Sequence, residues 1–202
     1  MKVCLTGGIA SGKSLLSHFL NELGVKTIDA DDIVHELIPQ EERERLRKVV
    51  FKDPEARKEL EARIHPLVRQ KILSAIEGVR GQESGVKGDC PPNLSLTPNP
   101  SHLTPNLSLP SIAVIPLLFE VQWENDYDII ICILSSREKQ IERMTSLRGY
   151  SREEAEARLA AQMDPAIKAA KSDYVILNDS SDENLKAEAQ KLVEYLVSRS
   201  KA

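Results

Sequence analysis

Eight residues near the start of the chain, Gly7-Gly8-Ile9-Ala10-Ser11-Gly12-Lys13-Ser14, have the spacing G-x-x-x-x-G-K-S. That spacing suits a polyphosphate. Glycines let the backbone turn its N–H groups inward around the phosphates, and a following helix adds the positive end of its dipole. Lys13 would reach the outer phosphates, and the Ser14 hydroxyl would ligate Mg²⁺. The context fits this chemistry. Val3-Cys4-Leu5 precedes the loop as a short apolar run, and Leu15, Leu16, Phe19, Leu20 and Leu23 follow it at helical spacing. Strand, glycine turn and helix imply a nucleoside triphosphate site, with Gly7, Gly8, Ala10, Ser11, Gly12, Lys13, Ser14 and Leu15 as its binding residues.

The elements that must carry such a loop can be read from the same chain. Apolar, largely β-branched runs predict strands at Lys2–Thr6, Lys26–Asp29, Ile112–Ile115, Asp128–Leu134 and Asp173–Leu177. Ile129-Ile130-Ile131-Cys132-Ile133 is apolar throughout, as expected of a parallel strand covered on both faces. Strands alternating with helical segments predict a doubly wound α/β sheet. Ligands in such sheets bind at the carboxyl ends of strands, so Gly7, Asp29, Pro116 and Asn178 are expected on one edge. Ser135 with Glu138, and Ser151 with Glu154, have the spacing of capping boxes. The last helix, from about Asp182, carries Leu185, Ala189, Leu192, Val193 and Leu196 on one face. Between Pro54 and Val79 the chain reads as helix, with a break at His65-Pro66.

One stretch departs from this pattern. Residues 81–110 are rich in Gly, Pro, Ser, Thr and Asn and contain Pro-Asn-Leu-Ser-Leu twice, at 92–96 and 105–109. Such a composition buries too little surface to offset chain entropy and predicts a flexible loop.

At 202 residues the chain can bury one sizeable core with a small insertion. Its 27 Lys and Arg against 31 Asp and Glu give a net charge of −4, which argues against nucleic acid as the main partner. No apolar run approaches the length of a membrane span, so no membrane partner is expected. The N-terminal residues run straight into the glycine loop, so no signal peptide is expected. Three cysteines without metal spacing fit free thiols in a reducing cytosol, and a cytoplasmic location is expected. Composition leaves the oligomeric state open.

Guanine-nucleotide switches need a base-reading Asn-Lys-x-Asp and an Asp-x-x-Gly after a strand, and neither is present. A short α/β chain with a helical insertion after its second strand has the layout of a small-molecule or nucleotide kinase. The residues Thr6-Gly7-Gly8-Ile9-x-Ser11-Gly12-Lys13-Ser14, followed by Ile28-Asp29-Ala30-Asp31 with His35, resemble the dephospho-CoA kinase family. The likeness continues through Val50-Phe51-x-Asp53-Pro54, Leu60-Glu61-x-x-x-x-His65-Pro66-Leu67 and Pro116-Leu117-Leu118-Phe119-Glu120. It resumes at Gln140-x-x-Arg143, Ala160-Ala161-Gln162-Met163, Lys168 and Asp173-Tyr174-Val175-Ile176-x-Asn178. It covers nearly the whole chain apart from 81–110.

The resemblance implies a P-loop kinase fold that uses ATP and Mg²⁺ to phosphorylate the 3′-hydroxyl of dephospho-coenzyme A, the last step of coenzyme A synthesis. It implies a core (1–30, 111–135 and 172–202), a helical substrate domain (31–80) and a lid (136–171). Two other readings stay open: a P-loop kinase with another small acceptor, and a nucleotide-binding relative without full activity. The chain departs from the family pattern in three places. The stretch between His35 and Val50 is short, 81–110 is an addition, and the place of a second lid arginine is taken by Leu147, with Arg148 one step on.

The resemblance also suggests roles. Asp31 is the candidate base or orienting carboxylate and, with Ser14, a metal ligand; one of Asp29 and Asp31 could instead cap the helix that follows. Asp32 reads as a solvated helix residue. Asp29, His65 and Glu120 are candidate substrate contacts, against a structural role for His65 and a plain surface glutamate for Glu120. The strand Ser111–Ile115 has no acidic residue near its end, so Ser14 and Asp31 would have to hold the metal. Arg143, Arg148, Arg158 and Lys168 are candidate lid cations, Arg143 also catalytic with Lys13, each against a plain surface charge. Arg148, just before Gly149, could swing into the cleft. Asn178 is the candidate adenine-edge residue.

Overall fold

The computed structural model describes residues 1–38, 54–78 and 109–200. Its centre is β1 (Val3–Gly7), whose five residues are all buried. Successive side chains of a strand point to opposite faces. Val3 and Leu5 therefore enter one apolar cluster, and Cys4 enters another. Around β1 the sheet runs β2 (Thr27–Asp29), β3 (Ile112–Val114), β1, β4 (Ile129–Leu134), β5 (Tyr174–Leu177). Every pairing is parallel, with Val3 opposite both Ile112 and Ile129.

Helices cover both faces. On the first lie α1 (Lys13–Glu22), burying Leu16 and Leu20, and the C-terminal helix (Asp182–Ser200), burying Leu185, Ala189, Leu192 and Leu196. These pack on Val3, Leu5, Ile112, Ile131 and Ile133. On the second lie α2 (Ala30–Leu37) and α3 (Pro54–Gly78), with Val68, Ile72 and Ile76 against Cys4, Ala113 and Ile130. Three shorter helices follow β4: α4 (Arg137–Arg148), α5 (Arg152–Ala160) and α6 (Pro165–Ala170). The C-terminal helix is α7. A 3₁₀ turn, Glu124–Asp126, leads into β4.

The five expected strands are present within a residue or two of their predicted ends. Two local expectations are corrected. The chain is helical straight through His65-Pro66, with no break. A proline removes one N–H and crowds the carbonyl four residues back. Here the side chains on either side, Ile64 and Val68, both pack against the sheet-side cluster, which holds the helix through that defect. The second correction concerns Ser135. The residue capping α4 is Ser136, which makes no side-chain cap bond. The Ser135 hydroxyl lies instead 2.9 Å from Asn178 O and 2.8 Å from Asp179 Oδ1. Ser151 and Glu154 do form the reciprocal capping box.

Residues 81–108 of the proline-rich stretch, Cys90 among them, and most of the short segment after His35 lie outside the described residues. Among the described residues no helix is long and apolar enough to cross a membrane. Cys4 and Cys132 are buried free thiols.

Candidate active site

The glycine loop leaves the carboxyl end of β1, and its backbone allows no alternative at two points. A Cβ on Gly7 would lie 2.3 Å from Ile133 O, in the neighbouring strand β4. A Cβ on Gly12 would lie 2.1 Å from Asn178 Nδ2, and Gly12 has φ +104°, a region L side chains avoid. Ala10 is also left-handed, at φ 56°. The first bond of α1 runs from Leu16 N–H to Gly12 O, so the amides of Lys13, Ser14 and Leu15 precede it at the positive end of the helix. Lys13 is folded back over the loop, its ammonium donating to Gly7 O (2.9 Å) and Gly8 O (2.8 Å). Burial, with the charge of Lys168 nearby, lowers its pKa to about 8, against the opposing pull of Asp29 and Asp31.

In front of the loop opens a cleft of about 700 Å³. One end is polar, lined by Ser11–Leu15, Asp29, Asp31, Arg143, Arg148 and Asn178. The other is apolar, lined by Val34, Val68, Leu117, Val121 and Trp123, with His65 among them. His65 stands edge-on to Trp123, ring centroids 5.6 Å apart.

The structure separates the two aspartates. Asp29 caps α2, accepting the Asp31 N–H at 2.9 Å, and desolvation raises its pKa despite that bond. The Asp31 side chain is exposed to the cleft and accepts no hydrogen bond among the described residues. Asp32 is exposed and does not line the cleft.

The candidate cations divide similarly. Arg143 is pinned: its guanidinium donates to Ala10 O (3.1 Å), Ser135 Oγ (3.0 Å) and Asn178 O (2.9 Å). It ties the glycine loop to the ends of β4 and β5 while bordering the cleft. The helix α4 ends at Gly149, left-handed at φ 68°, and both Arg148 and the 78% exposed Leu147 line the cleft beside it. Arg158 points elsewhere, stacked 4.4 Å over the Tyr150 ring. Lys168 is 1% exposed and paired with Glu120 at 2.7 Å. Glu120 also accepts the Met163 N–H, so this lysine and glutamate hold each other behind the loop rather than facing the main cleft. Asn178 lines the cleft, and one of its two amide N–H donors is taken by Ser11 O at 2.8 Å.

Two side chains that sequence reasoning noticed only as part of a motif meet at the loop. Gln140 Nε2 donates to Ile9 O (2.7 Å), and Gln162 Oε1 accepts from Ile9 N–H (2.8 Å). Trp123 and Val68 had no motif to mark them as cleft residues.

The parallel sheet in the order 2-3-1-4-5, with the glycine loop on its central strand and the cleft at the carboxyl edge, defines a P-loop kinase. A shikimate kinase from Bacteroides thetaiotaomicron shares this fold at 16% identity, with a TM-score of 0.54 over 97% of this chain and 98% of that one. The sequence model of the dephospho-CoA kinase family matches residues 1–43, 40–87 and 104–184, and the chain belongs to that family. The dephospho-CoA kinase of Symbiobacterium thermophilum is 33% identical over 209 residues, covering 92% of this chain and 77% of the relative. That of Wolinella succinogenes is 30% identical over 96% of this chain and 94% of its own. The structure of dephospho-CoA kinase from Campylobacter jejuni superposes with a TM-score of 0.66 at 26% identity, covering 99% of this chain and all of that one.

Proposed function

We propose that the chain transfers the γ-phosphoryl group of ATP to the 3′-hydroxyl of the ribose in dephospho-coenzyme A, giving coenzyme A and ADP. The observation that carries this reading is the two-ended cleft. Its polar end offers loop amides and cations to a polyphosphate, and its apolar end suits the long non-nucleotide arm of the acceptor. In the reaction Lys13 turns from Gly7 O and Gly8 O to the outer phosphates. Asp31, whose carboxylate is open to the cleft, takes the proton of the attacking hydroxyl as the new O–P bond forms and the bond to ADP breaks. Arg148 neutralises charge on the transferring group from the end of α4.

The oxygen donors here suit a hard cation. Ser14 Oγ and the Asp31 carboxylate both face the cleft, and neither makes a side-chain hydrogen bond among the described residues. Mg²⁺ held there would supply charge neutralisation to the outer phosphates. Among the described residues no group of three or more His, Cys, Asp or Glu is placed to hold a metal ion by itself. The buried free thiols Cys4 and Cys132 fit a reducing cytosol.

The test is an ADP-coupled assay with dephospho-coenzyme A, with mass spectrometry locating the new phosphate. ADP formed in step with 3′-phosphorylated product is expected. Turnover with a nucleoside monophosphate but none with dephospho-coenzyme A would overturn the assignment of the acceptor.

A further inference from the structure

Ile9 is the third residue of the glycine loop, and the helices after β4 hold it from three directions. Its N–H donates to Gln162 Oε1 (2.8 Å), just beyond α5, and its carbonyl accepts from Gln140 Nε2 (2.7 Å) on α4. An N–H requires an acceptor and a carbonyl a donor, so the orientation of both amides is set by these bonds. Its side chain, with Ala10, packs against the cluster of Ile141 and Met144 of α4 and Ala155 of α5, on which Leu159 and Tyr150 also pack. The next carbonyl, Ala10 O, accepts from Arg143 on α4, where the backbone turns left-handed. Gln140 is 4% exposed, and its amide sits so close over Gly8 that a Cβ there would lie 2.8 Å from Nε2. A loop that only had to wrap phosphate would not need the peptide groups on both sides of one residue gripped by other elements.

The geometry points to Ile9 as the joint through which α4 and α5 set the shape of the phosphate loop, with Gln140 and Gln162 as positioning residues for phosphoryl transfer. This deepens the kinase reading and rests on it. The two glutamines hold the two peptide groups on either side of the Ile9 Cα, so losing either frees the same residue. Movement of α4 and α5 toward the cleft carries Ile9 with it, and with it the amides that follow toward Lys13. The loop and the helical segment then close as one body, so the cost of shaping the loop falls on closure rather than on ATP binding.

The substitutions Gln162→Met and Gln140→Met remove the acceptor and the donor at nearly constant size. We expect each to lower kcat by about 5- to 10-fold, the worth of one neutral hydrogen bond, with ATP dissociation constant and Tm little changed. The double variant is expected to be no more than about 2-fold worse than either single one. Amide hydrogen exchange needs no acceptor substrate and so stays informative whatever the protein phosphorylates. The Ile9 amide is expected to exchange slowly in the wild-type protein and in Gln162→Glu, which keeps an oxygen acceptor, and quickly in Gln162→Met. Multiplicative losses in the double variant would mean two separate roles and would overturn the shared joint. So would a weakened ATP affinity matching the loss of rate, or an Ile9 amide equally protected with and without Gln162.

Discussion

Lys13 is the residue whose charge the fold holds most delicately. In the free protein its ammonium is desolvated, stands near Lys168, and has a pKa of about 8. Bound triphosphate would stabilise the ammonium and move that pKa back up. Between about pH 8 and its ordinary value of 10.5, ATP binding should therefore take up a proton, approaching about one per nucleotide, and affinity should fall as pH rises through this window. Calorimetry at pH 8.5 in two buffers of different ionisation enthalpy measures the uptake, and Lys13→Met should abolish it. The aspartates call for a different comparison. Asp31→Asn should cost roughly 10²-fold in kcat with ATP affinity nearly kept. Asp29→Ala should instead lower stability by about 1 kcal/mol through loss of the α2 cap, and Asp29→Asn, which still caps, should not. Denaturant melts alongside turnover separate the two; a crippled Asp29→Asn with a mild Asp31→Asn would reverse the assignment.

At the level of helices, α4 places two arginines with opposite constraints. Arg143 spans three oxygens on two strand ends and the loop, a pattern one ammonium cannot reproduce, so Arg143→Lys should lower both Tm and kcat. Arg148 makes no side-chain hydrogen bond among the described residues and sits in the last turn before the Gly149 cap. Arg148→Ala should leave Tm and ATP binding alone and slow transfer. If Arg148→Ala is silent, the cleft works without a cation from the helix end. In α3, Pro66 is exposed and sits inside a helix that packing maintains on either side. Pro66→Ala restores one backbone bond, to Ala62 O, and should raise stability by about 1 kcal/mol or more, read as a higher denaturation midpoint. A lower midpoint would show that the ring itself is packed.

Across the molecule, the cleft joins parts distant in the chain: the loop after β1, the start of α2, α3, the segment after β3 and the end of α4. Trp123, 9% exposed at the apolar end beside His65, is the chain's one tryptophan and so a reporter of that end alone. Dephospho-coenzyme A should change its emission, while ATP, proposed to sit at the polar end, should change it far less. An equal response to both would mean that the ends close together on the nucleotide alone.

Much of this was legible before any coordinates. The glycine loop could be placed because its chemistry is local: two glycines, a lysine and a serine at fixed spacing between an apolar run and a helical stripe. The five strands and the buried face of α7 could be read for the same reason, since periodicity of 2 or 3.6 is written within ten or twenty residues. What the sequence left undecided is where a polar side chain turns once its element is packed. Glu120 and Lys168 share no local signal, and only the fold puts them 2.7 Å apart behind the loop instead of in the cleft. Ser135 had the spacing of a cap and was drawn off to Asn178 and Asp179. Pro66 reads as a break, yet packing of Ile64 and Val68 outweighs it. Gln140 and Gln162 reach Ile9 across 131 and 153 residues, and no spacing rule spans such distances. Local sequence determines which backbone shapes are possible. The energy of burying a polar group beside the right partner, settled by the whole chain at once, determines where its side chain ends up.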